Sequence, residues 1–153
     1  MSTLYGANKT LARDPSGANQ LDPGVFGGNI KCQVDYYEML TTESSADVIE
    51  LGDKLPKDAR VLDILVLTED LADTCTFHIG DYEDPDRYMS SIDGTAAGRH
   101  THLEALTTDS LGYKCDDTTP STSDRQIILT FATLAATLNL AAKVTIVIHY
   151  THE

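Results

Sequence analysis

Residues 55–80, LPKDARVLDILVLTEDLADTCTFHIG, hold the feature that most narrows what this chain can become: side-chain character that changes at every second position. Residues 59–68 and 74–79 read as two strands around a polar connection, the local pattern of adjacent antiparallel partners. In the first, Leu62, Ile64 and Val66 share one face and Val61, Asp63, Leu65 and Leu67 the other. Both faces are largely apolar, which predicts a central strand covered on both sides, with Asp63 at a wet margin. In the second, Cys75, Phe77 and Ile79 face inward against Thr76 and His78, as in a half-buried strand.

The same period recurs along the chain. Ile30, Cys32, Val34, Tyr36 and Leu40 occupy one parity, and Lys31, Gln33, Asp35 and Tyr37 the other, so a strand begins at Ile30. Residues 41–46 form a Ser/Thr-rich turn and 48–52 a short strand. Pro56, unable to donate to a ladder, belongs to the connection that follows. After Gly80 the acidic stretch 81–86 is expected to face solvent, with Asp86 capping a helical turn over 87–92 that ends at Gly94. Residues 95–108 read as a loop, 111–115 as a weak strand and 116–124 as an exposed loop. Two strands close the chain. Residues 125–133 place Ile127, Leu129 and Phe131 on one side, residues 143–151 place Val144, Ile146, Ile148 and Tyr150 on one side, and the two are expected to pair as neighbours.

About seven or eight short strands with turn signals between them indicate an all-β chain, an antiparallel β-sandwich that is jelly-roll-like. The missing helices between strands exclude a doubly wound α/β fold. Residues 1–28 stand apart. They are rich in Gly, Pro, Asn and Asp and have no apolar period, so they read as an extended N-terminal arm before a β-sandwich domain at 29–153. Such a segment cannot cover its own ordering cost alone. Tyr5, Leu11, Val25 and Phe26 are spaced apolar anchors suited to lying on a neighbour, which makes them the candidate partner-binding residues.

Charge narrows the partners. With 24 acidic against 11 basic residues and a net charge of −13, no face is suited to a phosphate backbone, which requires Lys and Arg to displace counterions. An acidic surface suits solubility and docking on basic patches equally. Three cysteines, Cys32, Cys75 and Cys115, cannot all pair and lack a C-x-x-C spacing, so they read as reduced, buried, small hydrophobes. At 153 residues the chain can bury roughly 70% of its unfolded surface without staples. The N-terminus shows no apolar export segment, and synthesis in the cytoplasm is expected. Residues 127–148 have about the length of a membrane span, but threonines, Asn139 and Lys143 dilute them and both ends alternate as strands do.

The search for chemistry is largely negative. No phosphate loop, nucleophile elbow, dinucleotide fingerprint or H-E-x-x-H occurs. Gly94, His100, His102 and Glu104 match the opening of the first cupin motif, in which two histidines on one strand face hold a metal. The match then fails, because Glu104 comes two residues early and only His149 and His152 remain downstream. A solvated polar loop is the plainer reading. His78 with Asp81, Glu83 and Asp84 could form a weak cation site, and Asp81, Asp84 and Asp86 a carboxylate pair, but nothing in the sequence sets their acidities apart.

One resemblance covers roughly 31–150. The order KLPKDARVLDILVLTEDLADTCTFHIGDYEDPDRYM, closed by KVTIVIHY, resembles capsid decoration, or cement, proteins of tailed bacteriophages, most specifically over 51–89. Asp58 stands where that pattern commonly has glycine. The resemblance implies a jelly-roll-like sandwich on the outer capsid surface of the virion, non-enzymatic and without cofactor or catalytic residues. Its implied partners are the major capsid protein, whose neighbouring subunits it staples, and itself as a dimer or trimer, with neither nucleic acid nor membrane. An alternative is a carbohydrate- or receptor-binding head-fibre module, although the chain has no Trp to serve as a sugar platform. A third is a cupin-like metalloenzyme built on His100 and His102.

Overall fold

The computed structural model describes residues 29–45, 47–102, 113–115, 125–135 and 137–152. Tyr5, Leu11, Val25 and Phe26, with the arm and Glu104, lie outside the described residues. The strands are β1 (Ile30–Glu38), β2 (Val48–Leu51), β3 (Arg60–Thr68), β4 (Thr76–Gly80), β5 (Met89–Asp93), β6 (Gly98–Thr101), β7 (Ile127–Thr133) and β8 (Lys143–Thr151). No helix occurs among the described residues. Two four-stranded antiparallel sheets form, ordered β1-β8-β3-β6 and β2-β7-β4-β5. Only β4 and β5 are consecutive strands paired within one sheet. Among the described strands every other consecutive pair is split between the sheets, which is the double Greek-key winding of a jelly roll.

Two expected pairings are therefore corrected. β3 and β4 lie in opposite sheets, and so do β7 and β8. Alternation fixes which side of a strand is apolar but not which strand lies beside it. Placing β7 and β8 in different layers sets Ile127 and Leu129 in one sheet and Val144, Ile146 and Ile148 in the other, all fully buried in one shared core. Phe77 and Ile79 of β4 join them from the same layer as β7, with Leu51, Leu55, Leu71 and Cys75. The expected inward row Cys75, Phe77 and Ile79 is observed.

β3 runs between β8 and β6, and a register shift between Val61 and Asp63 interrupts its pairing with β8. The extra residue turns Val61 inward with Ile64 and Val66, leaving Leu62 half-buried, so the simple parity of the sequence breaks at this point. The segment 87–92 is not a helical turn. Burial of Tyr88, Met89 and Ile92 draws it into β5 against β4, and Ser91 takes a positive φ of 54° at the irregularity. Residues 98–101, expected in a loop, form β6 and pair with β3. Of the weak strand at 111–115, the described part makes a single bridge, Lys114 to Arg60.

Asp58, expected from the resemblance to stand in place of a glycine, adopts φ +65°. Asp tolerates this left-handed region better than most side chains. Its N–H donates to the Cys115 carbonyl at 2.8 Å, and its carboxylate meets Lys114 Nζ at 2.8 Å.

Candidate interaction surface

β1 is an edge strand, and the expectation that Cys32 is buried is corrected. Ile30, Val34 and Tyr36 are 67%, 67% and 57% exposed, and Cys32 is exposed with them. On the polar parity Asp35 and Tyr37 turn inward to hydrogen-bond partners, whereas the buried Gln33 Oε1 meets none and Lys31 stays exposed. Asp35 Oδ2 accepts the Gly52 N–H at 2.8 Å across the gap to the end of β2, and Oδ1 accepts the Tyr36 N–H. Tyr37 Oη lies 3.0 Å from Glu43 Oε1, and burial together with that carboxylate pushes the phenol up to about 12. A substitution at Gly52 would be strained, since its φ is +70° and a Cβ there would stand 2.7 Å from Gln33 Oε1.

The outer face of this sheet continues the apolar row. Val34 lies opposite Val147, which lies opposite Leu65, and Tyr36 lies opposite Thr145, which lies opposite Leu67. Leu67 is 40% exposed and Leu65 half-buried. The expectation that β3 is covered on both sides is thus corrected: no described element lies over its outer face. Lys143 Nζ sits 5.3 Å from the centre of the Tyr36 ring and 3.1 Å from Glu38, at one end of the row. The two rungs Val34-Val147-Leu65 and Tyr36-Thr145-Leu67 carry no ionisable side chain other than the Tyr36 phenol, while Cys32, next along β1, lies opposite His149 and then Asp63. An exposed apolar patch of this kind is a candidate interaction surface.

Beside it, the flank between β1 and β2 carries two shallow grooves. One, of 450 Å³, is lined by Tyr37, Leu40, Glu43, Asp47, Val48 and Ile49 among others. The second, of 380 Å³, is lined by Gln33, Val34, Asp35, Gly52 and Asp53. The first groove mixes aliphatic with acidic side chains and the second is mainly polar and acidic, so both favour a partner that offers Lys or Arg.

The acidic loop expected to face solvent is organised around a buried residue instead. Asp81 is 0% exposed, and its Oδ1 accepts the N–H groups of Glu83 and Asp84 at 2.9 Å each. Its carboxylate also meets Arg87 Nε, with Nη2 3.4 Å from Oδ1, and the Arg87 guanidinium lies 4.0 Å over the Tyr113 ring. Burial lifts the Asp81 carboxyl above its ordinary range against the pull of Arg87 and the two amides. This is a knot that shapes the loop. Asp84 and Asp86 take no part in it through their side chains, so no carboxylate pair of the kind that divides acid from base forms.

His100 and His102 do not converge on a shared centre. His100, on β6, lines a shallow depression of 330 Å³ with residues of β5. His102 is buried and meets the Tyr88 ring edge to face at 5.5 Å. Burial holds its imidazole below the ordinary range, with Asp63 opposing. Among the described residues no group of three or more His, Cys, Asp or Glu side chains could hold a metal ion. No described helix is long and apolar enough to cross a membrane.

Over the described residues the winding and the uncovered sheet face together define an eight-stranded jelly roll with an exposed apolar sheet face. The same fold recurs in two bacteriophage capsids. A chain of the capsid asymmetric unit of cyanophage Pam1 matches with a TM-score of 0.69 at 24% identity, over 93% of this chain and 99% of that one. A chain of the capsid of Ralstonia phage GP4 matches with a TM-score of 0.63 at 19% identity, over 82% of this chain and 86% of that one. No protein-family model and no curated protein matches the chain. At these identities the likeness establishes the shared fold.

Proposed function

We infer that the protein is a non-enzymatic component of a bacteriophage head, a decoration protein that binds the outer capsid surface and staples neighbouring major capsid subunits. The observation that carries this reading is the match of nearly the whole chain, end to end, to a chain of a phage capsid. The apolar outer face of β1, β8 and β3 supports it, because a monomer gains nothing from exposing Ile30, Val34, Tyr36 and Leu67 unless something covers them. Residues 1–28 act as an arm ahead of the domain at 29–153, with Tyr5, Leu11, Val25 and Phe26 as anchors on a neighbouring subunit. Basic patches of the shell would meet the acidic walls beside β1, and no nucleic acid or membrane takes part.

Stapling of this kind works by linkage. Contacts made only with the assembled shell stabilise it by mass action, and many symmetry-related copies let modest interfaces sum. The test is co-sedimentation of the purified chain, made in a cytoplasmic host, with capsids that lack it, followed by heating. Saturable binding that raises the temperature of shell rupture is expected, and it should weaken in a chain lacking residues 1–28 or carrying Leu67→Asp. Failure of the full chain to sediment with any shell, or binding to a glycan array in its place, overturns the reading.

A further inference from the structure

β1 occupies one end of its sheet, and among the described residues no strand pairs with its other side. An open nine-residue strand with an apolar outward row is a template for another strand, and proteins normally blunt such an edge. Here Lys31 and Asp35 stand where blunting charges would, on the same face and four residues apart. Their order makes them complementary to themselves.

We propose that β1 pairs antiparallel with β1 of a second copy about a twofold axis at Gln33, fusing the two β1-β8-β3-β6 sheets into one eight-stranded sheet. An antiparallel register keeps outward residues opposite outward residues only when paired positions share parity. Centred on Gln33, the pairing sets Ile30 against Tyr36 of the second copy and Cys32 against Val34, each occurring twice by symmetry. On the inward side it sets Lys31 against Asp35, again twice. Within the paired residues 30–36 every outward contact is apolar on apolar and each charge meets its opposite, while Glu38 lies beyond them and keeps Lys143 of its own chain. The register centred on Val34 is poorer, because it puts Ile30 against Glu38 and Gln33 against Asp35.

An isologous contact of this kind uses one patch twice and closes, as a twofold dimer requires. The cost is local: the Tyr36 N–H, held by the Asp35 carboxylate in the single chain, exchanges that acceptor for a carbonyl of the second copy. In return, the apolar rows of the two copies become one continuous face. The inference names the self-association surface within the decoration reading, and it stands or fails separately from shell binding because it is read on the free protein.

The experiment is sedimentation equilibrium of the full chain, alone and in mixtures. The unaltered chain is expected to dimerise. Lys31→Asp places like charges together at both symmetric positions, and so does Asp35→Lys, so each variant alone should dimerise about tenfold more weakly. Mixed in equal amounts, the two variants restore both opposite-charge pairs in a heterodimer and should associate nearly as tightly as the unaltered chain. A folding defect cannot mimic that rescue. A monomeric unaltered chain, variants that dimerise as well as it does, or a mixture no tighter than its components would each overturn the pairing, whatever the capsid assay shows.

Discussion

Replacing Asp81 by alanine separates two kinds of acidic residue that the stretch DYEDPD presents as equals. The side chain is wholly buried and serves three partners: the N–H groups of Glu83 and Asp84 and the Arg87 guanidinium, itself mostly covered and stacked on Tyr113. Its removal leaves a cation without its counterion in a largely dry site and frees two amides. Breaking a buried pair from one side costs about 3–5 kcal/mol, mainly because the remaining charge is uncompensated. For a chain of this size each kcal/mol lowers Tm by about 2–4 °C, so a fall of roughly 6–20 °C is expected. Asp86, exposed and outside the knot, is the control, and Asp86→Ala should change stability by no more than ~0.5 kcal/mol. Urea unfolding followed by circular dichroism, with calorimetry for Tm, measures both. If Asp81→Ala lies within about 1 kcal/mol of the unaltered chain, or if the two variants lose stability equally, the account of the loop as a knot on a buried carboxylate is wrong.

Two further outcomes follow from burial. The His102 imidazole is held below its ordinary value of 6.5 in the folded chain, so between that value and its folded one the unfolded state binds more protons. Stability should therefore decline as pH falls through about 6.5, and His102→Phe should flatten that part of a stability-against-pH curve. An unchanged slope would remove His102 as its source. Of the three thiols, Cys32 is exposed while Cys75 and Cys115 are buried, and burial pushes the Cys75 thiol up to about 11. A chromogenic disulfide reagent should accordingly titrate one thiol per native chain and three after denaturation, and rapid reaction of a second in the native state would contradict the core as described.

Much of the fold was legible because a strand writes its faces into the sequence at a period of two. β8 falls at Lys143–Thr151 with Val144, Ile146, Ile148 and Tyr150 inward, and β4 buries Cys75, Phe77 and Ile79, as the residues alone indicate. β5 and β6 were less legible. Five and four residues long, they carry a weak pattern of their own and are strands because β4 and β3 supply their hydrogen bonds. The apolar row of β1 was legible but its direction was not, and Cys32 was expected to be buried: nothing local to 30–40 says that Asp35 has an amide of Gly52 to hold on the inward side.

The sequence by itself determined that the chain is all-β, where most of its strands run, and which residues could share a face. Those properties depend on near neighbours along the backbone, whose alternation any strand obeys. Only the tertiary structure decided which strands pair, that β7 and β8 belong to different layers, that Asp81 is buried while Asp86 is not, and which row of β1 meets water. Each of these depends on groups brought together from distant parts of the chain, where a hydrogen bond or a filled core outweighs the preference a strand carries alone.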